Sequence, residues 1–265
     1  MIRVLTTVLL AAGVLAAIWH LSTFTIQLFI LIAIFLGLQE YAKLVFEDRL
    51  HRIFTVILGT AFAAWVSWAP SFSNLLGGLV VAIFLSFLVG FTKKEPLGGV
   101  TASVGLTVLG ICYLSLTLPY WGWIHAIGRE WVYLLLFPAC LTDTFGFLVG
   151  KAIGKRKLAP AISPNKTWEG FFGSLVGAVF GIWLAAKLFF PYKEFSWGWL
   201  ISVGCMISIL AVFGDLIESL IKRSAGVKDS SHLIPGHGGA LDRLDALVFV
   251  APAFYMLLKN TNILL

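Results

Sequence analysis

Charge is scarce in this chain: Asp, Glu, Lys and Arg make up only 12% of 265 residues, against 59% hydrophobic, and mean hydropathy is +0.95. A soluble domain carries roughly twice that share of charge, so the composition excludes an ordinary water-facing catalytic domain. Each bilayer-spanning helix takes about 20 mainly apolar residues, and spans of that length consume most of the sequence. Cysteine is nearly absent. Cys112, Cys140 and Cys205 each lie in an apolar stretch, without CxxC pairing or nearby histidines at metal-ligand spacing. This excludes a zinc site or disulfide framework and leaves buried free thiols as the expectation. No G-x-x-x-x-G-K-[ST] occurs, which excludes a Walker-type nucleotide loop. The formal charge of +6 is not gathered into a basic stripe interleaved with aromatics, so no nucleic-acid partner is expected.

What is present is a series of apolar runs, at about 4–20, 24–40, 53–69, 75–92, 100–118, 131–150, 171–190, 199–221 and 244–258. The expected fold is an all-α, polytopic integral membrane protein with about nine transmembrane helices. We divide it into N-terminal helices (1–130) and a C-terminal catalytic region (131–265) of a single membrane unit. The start, Met1 to Ala17, imitates a signal peptide with Arg3 and small residues near Ala16; a second span follows at once, so an uncleaved first helix is expected. Breaks are expected at His20–Thr23, Ala69–Asn74, Lys93–Gly99 and Pro119–Glu130, and in the longer segments after Gly150, Phe190 and Ile221. Trp65, Trp68, Trp121, Trp123, Trp197 and Trp199 sit near span ends as expected of interfacial anchors. With nine spans, all of the 19 Lys and Arg residues but Arg129, Lys187, Lys193 and Lys259 fall on one side. The positive-inside rule then puts the N-terminus and the polar loops 151–170 and 222–243 in the cytoplasm of a cell with this protein in its inner membrane.

Carboxylates inside such helices cost roughly 2.5–3.5 kcal/mol each on insertion scales, so each needs a reason. Asp143 lies in the sixth run; Asp215 and Glu218 lie late in the eighth. Asp215, Glu218, Ser219 and Lys222 follow i, i+3, i+4, i+7 spacing and share one helix face. That face serves either as an internal salt bridge to Lys222 or Arg223 or as part of an ion and phosphate site. After it come Lys228, Asp229 and the run Pro235-Gly236-His237-Gly238-Gly239, closed by Asp242, Arg243 and Asp245. Glycines at 236, 238 and 239 permit close backbone approach to phosphate oxygens, and a following helix N-terminus favours anions. Asp242 and Asp245, at i, i+3, either cap that helix or hold a hard cation. His237 suits a hydrogen-bonding or positioning role, since no second histidine has zinc spacing; His20, His51, His125 and His232 receive no role. The other cytoplasmic loop offers Lys155-Arg156-Lys157, ordinary positive-inside charge, and then Ser163, Asn165, Lys166 and Thr167, donors suited to a triphosphate, with Glu169 and Thr167 as alternative helix caps.

From Ser219 to Asp245 the chain closely resembles the signature of the phosphatidate cytidylyltransferase family: Ser219-x-Ile221-Lys222-Arg223-x4-Lys228-Asp229-x-Ser231-x2-Ile234-Pro235-x-His237-Gly238-Gly239-x2-Asp242-Arg243-x-Asp245. The block Ser163-Pro164-Asn165-Lys166-Thr167-Trp168-Glu169-Gly170 is similar to the family's second recurring block. Ala240 departs from the bulkier aliphatic usual after the two glycines, and the N-terminal half matches only in hydropathy.

The resemblance implies conversion of CTP and phosphatidic acid to CDP-diacylglycerol and pyrophosphate, with Mg²⁺ or another divalent cation and room for a second ion. On it we assign Asp215, Lys222, His237, Asp242 and Asp245 as catalytic. Ser163, Asn165, Lys166, Thr167, Ser219, Arg223, Lys228, Gly238, Gly239 and Arg243 are expected to bind substrate, and Asp215, Asp242 and, as an additional ligand, Asp143 to hold metal. A related CTP-dependent lipid kinase or other lipid-phosphate nucleotidyltransferase is the near alternative, distinguished by its product. An ion-coupled transporter is the distant one, distinguished by uptake into sealed vesicles; it would need comparable broken helices in both halves. A homodimer is a further expectation, because Gly173, Gly177 and Gly181 form a small-residue stripe that packs either within one chain or across two.

Overall fold

Helix starts follow local capping chemistry. The computed structural model describes residues 13–69, 71–91, 97–231 and 239–260. Ser22, Asp48, Thr167 and Ser196 each accept a backbone N–H three residues on, from Thr25, His51, Gly170 and Trp199, satisfying donors that a helix start otherwise leaves open. They open α1 (Thr23–Val45), α2 (Arg49–Trp68), α7 (Trp168–Phe189) and α8 (Trp197–Ser224). Between them run α3 (Phe72–Phe91), α4 (Leu97–Gly110), a π-helical turn (Ile111–Ser115), α5 (Pro119–Ile127) and α6 (Arg129–Ile153); α9 (Leu241–Leu244) and α10 (Val250–Asn260) close the chain. Two short antiparallel strands, β1 (Lys157–Ala159) and β2 (Ser163–Thr167), pair Lys157 with Thr167 and Ala159 with Ser163.

The protein is thus an all-α polytopic membrane protein, and among the described residues seven helical segments are long and apolar enough to cross a bilayer. The count of about nine is not reached among them. Residues 1–12, with the expected first span's beginning, lie outside the described residues, as do Lys93 and Lys94; the expected last span is represented by the short α9 and the 11-residue α10. The break expected at Pro119–Glu130 shrinks to Gly128, because Gly99–Ile127 runs as one 29-residue apolar segment. The thiols also differ from expectation: all three are free, but Cys140 is exposed and the others half-buried. In a membrane protein an apolar stretch can face lipid, so hydropathy does not report burial against protein. Trp123 departs from the belt pattern, being buried with its indole N–H on the Ser67 carbonyl at 3.2 Å.

The chain forms two compact units, one from Met1–Trp123 with Asp229–Arg243, the other from Ile124–Lys228 with Leu244–Leu265. In the first unit Tyr41 of α1 donates to the Leu106 carbonyl at 2.8 Å, and its ring fills the space beside Gly110. In the second, α6 and α7 approach closely where α7 presents glycines to the contact. A Cβ at Gly173 would lie 2.6 Å from Val149 Cβ, one at Gly177 2.5 Å from the Leu141 carbonyl oxygen, and one at Gly181 2.7 Å from Pro138 Cα. The glycine stripe is therefore used inside the chain. Gly177→Leu is expected to cost about 3 kcal/mol or more through overpacking against backbone, seen as loss of monodisperse protein in detergent. Gly198→Ala, with nothing within 4 Å of its added Cβ, should elute like the parent.

Candidate functional site

The second unit gathers most of the polar residues singled out from its sequence. β2 ends at Thr167, which turns directly into α7 as its N-cap, and Trp168 N–H bonds back to the Arg156 carbonyl at 2.9 Å. Glu169 braces the same turn, its carboxylate accepting the backbone N–H groups of Lys155 at 3.0 Å and Arg156 at 3.2 Å. Thr167 is thus the cap and Glu169 the clamp. Held this way, Ser163, Asn165, Lys166 and Thr167 line a cavity of about 560 Å³ together with Asp143 of α6 and Asp215 of α8. That volume is in the range of small-molecule sites.

Lys166 reaches across the cavity. Its Nζ lies 2.6 Å from Asp215 Oδ2 and donates to the Val212 carbonyl at 3.3 Å. The Ser219 hydroxyl donates to the other oxygen, Asp215 Oδ1, at 3.4 Å. One turn along α8, Lys222 Nζ lies 2.6 Å from Glu218 Oε2, with Glu218 fully buried. Each acid of the helix face read from the sequence therefore has an amine beside it, Lys166 from β2 for Asp215 and Lys222 from the helix itself for Glu218.

Asp245 joins this face from a distant part of the chain. Gly214 makes room for it: a Cβ there would strike the Asp245 carbonyl oxygen, so only glycine lets the backbone at Asp245 lie against α8. The carboxylates of Asp215, Glu218 and Asp245 offer one oxygen each within 4.8 Å of one another. Carboxylates so close repel where ionised, a repulsion that Lys166 and Lys222 offset at Asp215 and Glu218, and oxygen-only donors suit a hard divalent ion. The group could hold such an ion.

Removing the amine partner of buried Glu218 should be costly. Lys222→Met is expected to lower stability by about 3–5 kcal/mol, as for other broken buried pairs, and the Glu218→Gln/Lys222→Met double variant should recover much of it. Thermal unfolding in detergent reads both.

The remaining candidates fall into other surroundings. Asp242, a member of the first unit, accepts the Ser230 hydroxyl at 2.7 Å and the Gly239 N–H at 2.8 Å through Oδ2. Asp143 borders the cavity but is not one of the three grouped carboxylates. Arg223 donates to the carbonyls of Ile162 at 3.3 Å and Val227 at 3.1 Å, tying α8's end to the strand loop. Lys228 and Arg243 are exposed. His237 and Gly238, with His232, Pro235 and Gly236, lie outside the described residues. Glu218 shares that face in the spacing but is not among the metal ligands assigned from the sequence, and the structure groups it with Asp215 and Asp245. Glu40 was missed altogether: it ends an apolar run and reads as a boundary, yet it is buried at 4% exposure and hydrogen-bonded to Ser230, Ser231 and α9.

The family model described as the cytidylyltransferase family matches residues 1–261. The chain belongs to the cytidylyltransferase family. This cytidylyltransferase is 34% identical over 186 residues to a phosphatidate cytidylyltransferase of Staphylococcus epidermidis, covering 70% of each chain. It is 40% identical over 162 residues to the Bacillus subtilis phosphatidate cytidylyltransferase, covering 58% of each. With the Mycobacterium bovis phosphatidate cytidylyltransferase it shares 30% over 223 residues, 78% of this chain and 71% of the relative.

Proposed function

We propose that this chain transfers the cytidylyl group of CTP to phosphatidic acid, forming CDP-diacylglycerol and pyrophosphate within the bilayer. The observation that carries this reading is the cavity in which Ser163, Asn165, Lys166 and Thr167 meet Asp215, in a member of a family whose relatives are named for that reaction.

In the reaction an oxygen of the lipid phosphate forms a bond to the α-phosphorus of CTP, and the bond from that phosphorus to the α,β-bridging oxygen breaks. The electron pair leaves with pyrophosphate. A phosphomonoester has its second pKa near 6 and is largely ionised at neutral pH, so no strong general base is needed. The obstacle is bringing two anions together, which calls for fixed cations and donors around an in-line transition state. Lys166 would neutralise phosphate charge, while Ser163, Asn165 and Thr167 would orient the triphosphate by hydrogen bonds. Lys222, Arg223, Lys228 and Arg243, with Gly238, Gly239 and His237, complete our assignment of phosphate contacts. Asp215, Glu218 and Asp245 would hold Mg²⁺ or a similar cation, with Asp143 as a further ligand should a second ion bind; Asp242 is a separate metal-ligand assignment that rests on its motif. When bound, such an ion supplies charge neutralisation of phosphate oxygens. Orientation with the N-terminus and both polar loops in the cytoplasm, in an inner membrane, would open this site to intracellular CTP.

The test is transfer of label from CTP into chloroform-extractable product by purified protein with phosphatidic acid and Mg²⁺, with lipid and metal omitted in turn. Lipid-dependent CDP-diacylglycerol supports the reaction. Its absence from folded protein in a suitable bilayer sinks it, and a phosphorylated lipid in its place would point to a CTP-dependent kinase.

A further inference from the structure

Glu40 sits near the end of α1, a membrane-spanning helix, with 4% of its surface exposed. A buried carboxylate is expensive unless its oxygens are satisfied, and here four donors converge on it. Oε1 accepts the Ser231 hydroxyl at 2.5 Å and the Ala240 N–H at 3.0 Å; Oε2 accepts the Ser230 hydroxyl at 3.0 Å and the Leu241 N–H at 2.8 Å. These groups lie some 200 residues further along the chain, all within the same compact unit. They come in two pairs, one from Ser230 and Ser231 and one from Ala240 and Leu241 where α9 begins. A single carboxylate therefore fixes two separate points of this polar segment to α1.

Neighbouring residues are shaped around the contact. The Ser230 hydroxyl lies between Glu40 and Asp242, 2.7 Å from Asp242 Oδ2. Gly239 donates its N–H to that same oxygen at 2.8 Å, and a Cβ on Gly239 would collide with both the Ser230 hydroxyl and the Glu40 carboxylate. Hydrophobic packing cannot do this work alone, because Asp229–Arg243 contains only Leu233, Ile234, Ala240 and Leu241 as aliphatic residues. An apolar residue at position 40 would pack α1 more cheaply. What it would not supply is four acceptor positions.

We propose that Glu40 is a positioning residue of the cytidylyl-transfer reaction: it locks Ser230, Ser231 and the start of α9 so that Asp242 and Arg243 are presented in one geometry. This rests on the reaction proposed above. Glu40 touches no reacting atom; it acts through the residues it holds. Misplacing reacting groups by about 1 Å costs roughly 100-fold in rate, which sets the expected effect.

The experiment uses the full chain in lipid nanodiscs, with Glu40→Gln, Glu40→Asp and the Ser230→Ala/Ser231→Ala double variant. It reads kcat and KM for CTP and phosphatidic acid, and amide hydrogen exchange along the chain without substrate. Glutamine turns one acceptor oxygen into a donor facing two donors. We expect it to lower kcat about 100-fold and to speed exchange selectively in Asp229–Arg243, while aspartate, which keeps four acceptor positions, recovers at least about tenfold of the loss. Unchanged kcat in Glu40→Gln, or exchange accelerated equally in every helix, overturns the proposal. If Glu40→Gln does not fold, the double serine variant decides: lowered kcat with exchange altered only in Asp229–Arg243 supports it, and parental values for both overturn it. Failure of the parent chain to make CDP-diacylglycerol would instead overturn the reaction, and exchange in the glutamine variant would still show whether Glu40 anchors the segment.

Discussion

Asp215→Asn should lower CDP-diacylglycerol synthesis on the order of 1,000-fold, the scale seen when a preorganised electrostatic group is removed, while the protein stays folded in detergent. Asparagine keeps the shape and loses the charge that serves two neighbours at once. One is Lys166, whose amine lies 2.6 Å away; the other is the carboxylate group with Glu218 and Asp245, within 4.8 Å. The two roles separate by comparison with Lys166→Met. If Asp215 only anchored Lys166, both variants would fall by similar factors and show the same dependence on Mg²⁺. If it also holds an ion, Asp215→Asn alone should require far more Mg²⁺ for whatever activity remains. Parental turnover in Asp215→Asn would remove it from the reaction.

Divalent cations are expected to stabilise the protein even without substrate. A ligand at about 100 times its Kd adds roughly 2.7 kcal/mol to the folded state, so Mg²⁺ should raise Tm in detergent by several degrees, and chelation should reverse the shift and abolish turnover. The shift should vanish in Asp245→Asn and Glu218→Gln, because each removes one of the three negative charges that hold the ion. It should persist in Asp143→Asn if Asp143 serves only a second ion. A Tm indifferent to Mg²⁺ in the parent would leave the three carboxylates as an internal charge network balanced by Lys166 and Lys222, without a resident ion.

The membrane class and the grouping of several candidate residues are legible along the chain for a simple reason: both depend on local pattern. Scarce charge and long apolar runs imply helices in a bilayer, since backbone groups must be satisfied within each segment. Asp215, Glu218, Ser219 and Lys222 could be placed on one face because a helix fixes spacing before any tertiary contact forms. Ser163 to Thr167 could be recognised as a donor-rich turn, and Thr167 as a cap, from the same local logic.

What hydropathy could not decide was contact between segments. An apolar residue facing lipid and one facing protein look identical, so Cys140 and Trp123 were each placed on the wrong side of that division. Nor could spacing choose between packing within the chain and across two chains for Gly173, Gly177 and Gly181, which close approach to α6 now accounts for.

The sequence by itself determined that this is a polytopic helical membrane protein of the cytidylyltransferase family, because composition, helical period and motif order are properties of neighbouring residues. Only the tertiary structure decided that Asp245 meets Asp215 and Glu218 over the bare backbone of Gly214, that Lys166 reaches Asp215, and that Glu40 holds a segment some 200 residues away. Each of these depends on which backbones can approach without a side chain between them and on where a buried charge finds its donors, and neither follows from distance along the chain.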